Sequence, residues 1–369
     1  MTTATAGPRT AQDVLAAVHE LAPSIAARAA EIEQARRLPA DLLDDLRRTG
    51  CFRMLLPPSH GGLGVSMPEA MRVYEALSRA DASVGWTVMI GSGSWIDLAG
   101  LPRATFDTLY AGGPDVVIGG AFAPSGTAEP VDGGYRVSGR WAFASGCEHS
   151  AWLFGNCVEQ VDGEHRLRMV VLAPAEVDIE DTWTVSGLCG TGSHHFAADA
   201  VLVPVERTFP TMESPPCLDI PLLRFPMPPA LISPAIASAA LGVAQGALAD
   251  VVDLAIGKVP LLASAPLATN PLFQHQLATA DTELRAARRL LYGDADTAWA
   301  TAVWATARAV SVVDFAYHAG GGGSLYASSP LQRRLRDVHA ITQHFLVKPD
   351  TLTTAGAVLA GQGIDVPVF

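Results

Sequence analysis

His344 stands in the run Arg336-Asp337-Val-His-Ala-Ile-Thr-Gln-His344-Phe345-Leu346, and no carboxylate follows Asp337 until Asp350. An imidazole takes up or releases a proton near neutral pH, so this position suits a general acid or base. Asp337, Ile341 and His344 fall at i, i+4 and i+7, one face of a helix. Asp337 is therefore placed to orient the ring, although Arg333 is equally placed to pair with it. A histidine merely packed on a helix gives the same pattern. A second group is the string Gly139-Arg-Trp-Ala-Phe-Ala-Ser-Gly-Cys147, which sets the aromatic Trp141 and Phe143 close to the Ser145 hydroxyl. A third is Gly190-Thr191-Gly192-Ser193, whose small residues let backbone and hydroxyls approach a ligand closely. An ordinary β core and a tight hairpin account equally well for these last two.

Other chemistries find less support. The Glu148-His149 and His194-His195 pairs have neither HExxH spacing nor a neighbouring cysteine set, and adjacent strand residues point to opposite faces, so no metal is expected. The Gly190 loop is not followed by a helix, which excludes a dinucleotide fingerprint, and there is no Walker string. Arg285, Arg288 and Arg289, with Gln274 and Gln276 upstream, are phosphate candidates on charge alone, and charge alone describes a solvated helix face. The formal net charge is -12 with no dense Lys/Arg run, so neither nucleic acid nor an anionic membrane is an expected partner. The apolar stretch Leu231 to Ala249 is interrupted by Ser233, Pro234, Ser238 and Gln245, as suits close helix packing rather than a span. Cys51, Cys147, Cys157, Cys189 and Cys217 are odd in number and scattered, and the opening residues MTTATAGPRT show no secretion pattern, so a reducing cytoplasm is expected. Hydrophobic residues make up 49% and charged residues 17%, which favours a homo-oligomer with a small-molecule partner.

The elements that must position these residues fall into three blocks. Up to about residue 114 the apolar spacing is helical. Val14, Val18, Leu21, Ile25, Ala29 and Ile32 share a face with Pro23 marking a break, Pro39 to Thr49 is closed by Gly50, and Ser66 with Glu69 has capping-box spacing. From 115 to 207 the composition turns β-branched and aromatic, with turns at Asp132-Gly133-Gly134 and Asp162-Gly163, which predicts an antiparallel β domain. From 208 a proline-rich connector, including Pro226, Pro228 and Pro229, leads to helices expected at about 235–257, 271–300, 303–319 and 331–360, a C-terminal four-helix bundle. The fold class is α+β.

Several strings carry a resemblance across nearly the whole chain. They are Leu38-Pro39, Leu56-Pro-Pro-Ser-His-Gly-Gly-Leu-Gly64, Asp81-Ala-Ser-Val-Gly-Trp86, the 139–147 string, Gly187-Leu-Cys-Gly-Thr-Gly-Ser193 and Leu331-Gln-Arg-Arg-Leu-Arg-Asp-Val-His339. With the three-block layout they resemble the acyl-CoA dehydrogenase superfamily, and within it the group D flavin monooxygenases, the oxygenase components of two-component systems. The resemblance implies reduced FMN or FAD arriving from a separate reductase, O2 as co-substrate, a C4a-hydroperoxide, and hydroxylation of an aromatic or other electron-rich small molecule. It also implies a homotetramer. Dehydrogenases of the superfamily carry a glutamate about eight residues after the Arg-Asp pair, and here Phe345 and Leu346 cannot abstract a proton. His344 falls where similar enzymes carry a catalytic histidine. Ser145 resembles the serine that hydrogen-bonds the flavin edge, with Trp141 and Phe143 as aromatic surface and Gly190, Thr191, Gly192 and Ser193 near the ring. Gly320 to Gly323 resembles a turn that often lies near a neighbouring subunit's cofactor.

One departure weakens a phenol assignment: where some phenol hydroxylases of the group carry a histidine, this chain reads Thr-Val-Met-Ile-Gly-Ser-Gly-Ser94 after Trp86. Competing readings are an N-oxygenase of an amine or amino sugar, a dehydrogenase whose base has moved to Glu283, and an inactive relative serving as a binding partner. His60 lies in a loop that is usually close to substrate in this fold.

Overall fold

Thr10 and Asp13 close a reciprocal capping box, each accepting the other's backbone N–H, and start α1 (Ala11–Ala27). The helix runs through Pro23, and the expected break comes later, at Arg28. α2 (Ala29–Ala35) and α3 (Ala40–Thr49) follow, the latter ended by Gly50 at φ +78°. Ser66 and Glu69 form the expected capping box of α4 (Met67–Ala80), and the Asp81 carboxylate accepts the first N–H groups of α5 (Ala82–Gly93). A 3-10 turn, Ser94–Leu98, and α6 (Arg103–Leu109) complete the first block. This computed structural model describes residues 10–161, 163–224, 228–293 and 298–362. The opening Met1–Arg9 stretch, Asp162, Pro226 and the part of the expected 271–300 helix at 294–297 lie outside the described residues.

The middle block is one sheet of seven strands: β1 (Ile118–Val131), β2 (Gly134–Trp141), β3 (Trp152–Val161), β4 (Glu164–Leu172), β5 (Asp178–Glu180), β6 (His195–Pro204) and β7 (Thr208–Pro210). Their spatial order is β5-β6-β2-β1-β3-β4-β7. The sheet is mixed, not wholly antiparallel as expected, because β1 and β3 run parallel while the other neighbours are antiparallel. β2 runs back antiparallel to β1 and ends at Trp141, and residues 142–151 then pass β1 at that same end before β3 begins beside Ile118, so β3 runs opposite to β2 and hence parallel to β1.

The third block contains α7 (Pro228–Gly257), α8 (Pro271–Gly293), α9 (Ala298–Gly320), α10 (Pro330–Ile341) and α11 (Asp350–Leu359). Residues 232–257 are long and apolar enough to cross a membrane, yet 72% of the most apolar window is buried inside the protein. Gly242 explains how closely α7 packs: a Cβ there would sit 2.2 Å from the Glu75 carbonyl oxygen of α4. At the same junction the buried Glu75 carboxylate accepts from Arg288 (2.7 Å), the Tyr292 hydroxyl (2.6 Å) and Gln245, tying α4, α7 and α8 together. Arg288 is thus a structural partner of Glu75. The expected 331–360 helix is interrupted: α10 stops at Ile341, a 3-10 turn occupies Phe345–Val347, and Lys348 is extended ahead of Pro349.

Candidate active site

A cavity of about 600 Å³ opens between β1 with the 142–145 segment that follows β2, the 183–188 stretch, α5 with its 3-10 turn, and the broken segment after α10. Its walls are mostly apolar and aromatic, with Trp86, Phe122, Phe143, Phe154, Trp183 and Phe345 contributing rings. This is the size and character of a site for a ring-sized ligand. The polar side chains include Tyr74 on α4, Ser94 and Asp97 on the 3-10 turn, Ser145, Ser186 and Ser193 from the sheet block, and Gln343 and His344 after α10.

The helix break decides what His344 can do. His344 caps the following 3-10 turn, its Nδ1 accepting the Leu346 N–H at 3.3 Å. Because a backbone N–H can only donate, Nδ1 carries the lone pair and the neutral ring holds its proton on Nε2. Burial pushes the pKa from its ordinary 6.5 down to about 4. At neutral pH the residue is therefore an uncharged imidazole offering an N–H, not the titrating acid or base expected of an unperturbed histidine. Trp86 packs edge-on at 5.7 Å and Phe345 stacks at 4.9 Å, fixing the ring against the wall. Asp337 does not orient it. With α10 ending at Ile341 the shared helical face is lost, and the Asp337 carboxylate instead accepts the Leu188 N–H at 2.7 Å. Burial and the nearby Asp81 push the Asp337 carboxyl up to about 7.

Ser145 sits in a chain of hydroxyls. The Trp86 indole N–H donates to its Oγ at 3.0 Å, Ser145 Oγ is 2.8 Å from Ser193 Oγ, and Ser193 Oγ is 2.7 Å from Thr191 Oγ1. Thr191 donates its one hydroxyl proton to the Leu188 carbonyl at 2.9 Å. Ser193 must then donate to Thr191 and Ser145 to Ser193, so Ser145 turns a free lone pair to the cavity. The chain's direction makes Ser145 an acceptor for any guest.

Of the other expected site residues, Phe143 lines the cavity, 71% exposed, with φ at +64°, a conformation unusual for a side-chain-bearing residue. That left-handed residue, coming after β2 has ended, turns its ring out beside Trp183, whose centroid is 6.2 Å away. Trp141 is a correction. It is fully buried in the sheet's own core, stacked on Phe196 at 4.9 Å with its N–H on the Asn156 carbonyl. Gly126, Gly139 and Gly155 form its slot, since a Cβ on any of them would come within 2.7 Å of the indole. In the 190–193 loop only Ser193 is on the cavity wall. Gly190 and Gly192 approach protein, not ligand: a Cβ on Gly190 would lie 2.2 Å from Ile32, and one on Gly192 would lie 3.3 Å from the Arg36 carbonyl. Thr191 is buried behind Ser193.

Glu283 pairs loosely with Arg308 on α9 at 4.0 Å and is not on the cavity wall. His60 binds Asp107 at 2.8 Å and packs against Phe106. His194 Nδ1 accepts the backbone N–H groups of Thr182 and Trp183, a structural duty. Sequence reasoning missed Asp97. Its signal was present: it is the sole charged residue between Asp81 and Arg103.

A planar heteroaromatic ring fits what is here, because the wall pairs flat aromatic surface with the Ser145 lone pair and the His344 N–H. The family models for the N-terminal and C-terminal domains of acyl-CoA dehydrogenase match residues 9–100 and 235–349. An indole-3-acetate monooxygenase of Pseudomonas putida is 31% identical over 91% of this chain and 90% of its own length. The oxygenase component of an FADH(2)-dependent resorcinol hydroxylase from Rhizobium sp. is 32% identical over 88% of both chains. The solved structure of XiaF from Streptomyces sp., in complex with FADH2 and glycerol, superposes with a TM-score of 0.90 at 25% identity, covering 97% of this chain and 98% of that one. With likeness of this extent along the whole length, the chain belongs to the flavin-dependent monooxygenases of the acyl-CoA dehydrogenase fold, as an oxygenase component.

Proposed function

We propose that this chain hydroxylates a small aromatic molecule in the cavity described above, using O2 and reduced FMN or FAD delivered by a separate reductase. Bound reduced flavin supplies the two electrons that let one oxygen atom enter the substrate while the other leaves as water. The protein's part is to hold, orient and shelter. Phe143, Trp183 and Trp86 offer flat surface, and the largely apolar wall keeps bulk water from the reacting atoms. Ser145 presents a lone pair, which matches the N–H that a reduced flavin ring carries at its central edge and an oxidised ring lacks. His344 presents an N–H at Nε2, able to hydrogen-bond an oxygen without itself ionising. The relatives named for indole-3-acetate and resorcinol act on one- and two-ring aromatics, and a guest of that size suits the cavity.

The observation that carries this reading is the neutral His344 on the cavity wall, in a segment with no carboxylate able to strip a carbon acid. Glu283, paired with Arg308, gives the dehydrogenase alternative no support. A homotetramer is the proposed assembly, supported by exposed apolar side chains at one end of the third block. The test is turnover under 18O2 with a flavin reductase and an aromatic substrate: one labelled atom should appear in the product. Label drawn from water, or flavin reoxidation that never yields an oxygenated product from any aromatic offered, overturns the proposal.

A further inference from the structure

Asp97 is the one carboxyl among the described residues of the cavity wall, and no group there answers it. It follows Trp95 and Ile96 on the 3-10 turn and lines the cavity together with Gly93, Ser94 and Ile96. Among the described residues, no donor hydrogen-bonds its carboxyl and no cation pairs with it. Burial alone, with no charged neighbour, pushes its pKa up to about 7. A carboxyl kept without a partner in an apolar enclosure costs stability, and a plain packing role would be better served by leucine or asparagine. The rest of the wall sharpens the point: among the described residues no lysine or arginine lines the cavity, and His344 is neutral. A carboxylate-bearing guest would be desolvated with no cation to receive it and would face Asp97 as a like charge.

We infer that Asp97 selects the substrate, accepting a hydrogen bond from a ring N–H or phenolic O–H of a neutral aromatic guest, and that the cavity disfavours aromatic carboxylates. This inference rests on the oxygenase reading for the identity of the cavity as the substrate site, and it names the class of substrate that the reading leaves open. Sites built to bond a donor reject the analogue that lacks it, because the buried partner is then left unpaired.

The test is a binding series by calorimetry under nitrogen, with and without reduced FMN, using indole, 1-methylindole and indole-3-acetate as probes. Wild-type protein should bind indole about 10- to 100-fold more tightly than 1-methylindole, as expected for one hydrogen bond to a charged group. Indole-3-acetate should bind more weakly than indole. Asp97→Leu should erase the preference for the N–H, while Asp97→Asn, whose amide oxygen still accepts, should keep part of it. Both variants should melt no lower than wild type, which separates a lost preference from a lost fold. An equal ratio in wild type and Asp97→Leu, indole-3-acetate binding as tightly as indole, or no binding of indole at millimolar concentration overturns the inference. Product analysis distinguishes the two claims. Donor preference without oxygenated product sinks only the oxygenase reading, and equal oxygenation of indole and 1-methylindole sinks only the role of Asp97.

Discussion

At His344 the position of one proton sets the chemistry. Nδ1 is occupied by the Leu346 N–H and the ring stays neutral down to a pKa of about 4, so its contribution is a hydrogen bond from Nε2. His344→Leu should therefore cut product formation by about 100-fold or more while changing flavin affinity only a few-fold, and His344→Gln, which retains an N–H donor, should recover part of the loss. Wild-type turnover should show no inflection near pH 6.5 traceable to this residue; an inflection there that disappears in His344→Gln would refute the neutral-donor role. Stability carries the same signature. The folded pKa lies below the unfolded value of about 6.5, so the unfolded chain binds more protons between pH 6.5 and 4, and the native state loses stability as pH falls through that window. The limit is about 3 kcal/mol for this group. Asp97 and Asp337, both pushed up to about 7, act in the opposite sense, being stabilising when protonated and losing that contribution as pH rises through about 7. The acid sensitivity of His344 is thus best read as the difference between wild type and His344→Gln in urea melts at pH 6.5 and 4, where the variant should lose less. Little of this was legible in the sequence: residue type marked His344, but only the helix break reveals its proton.

The elements explain why some site residues were legible and others not. Period and punctuation located helices such as Met67–Ala80 and the whole β block, because capping boxes and Gly turns are local chemistry. Whether β3 pairs with β2 or passes it to pair in parallel with β1 is decided by the 142–151 connection, which alternation does not encode. Trp141 and Phe143 are two apart and read as sharing a face, yet the strand ends at the first and the second is left-handed, so they point into different compartments. Asp97 carried no spacing signal at all, only its charge within an apolar run. Asp337 shows what element contacts contribute to the site. From α10 it holds the Leu188 N–H, and a Cβ at the adjacent Gly187 would collide with the Arg336 carbonyl at 2.1 Å, so the 187–193 loop with Ser193 is pressed onto α10. Asp337→Ala leaves that N–H buried without an acceptor, at a cost of about 1–3 kcal/mol. It should speed amide exchange in 186–193 and weaken reduced-flavin binding, whereas Asp337→Asn, which still accepts, should preserve both. Equal loss in the two variants would mean that the loop is not positioned through this bond.

Across the whole molecule, exposed apolar side chains occur in every block, and one group of them stands together at one end of the helical block. Leu261 and Leu262 are 92% and 99% exposed just beyond α7, and Leu325 and Tyr326 are 73% and 70% exposed beyond the glycine turn. Lys258 brings the two segments together, its ammonium donating to the Gly320 carbonyl, so these residues occupy the same end of α7 and α9. Apolar side chains grouped in this way on a folded chain mark a surface covered by another one. If the homotetramer forms through this end, Leu262→Glu with Leu325→Glu should convert the particle to dimers or monomers in light scattering, since burying unpaired carboxylates at a subunit contact costs several kcal/mol. Neither Leu262 nor Leu325 lines the cavity, so aromatic binding by the dissociated variant should stay within a few-fold of wild type. A particle of unchanged mass would place the subunit contact elsewhere and leave the exposed leucines without this explanation.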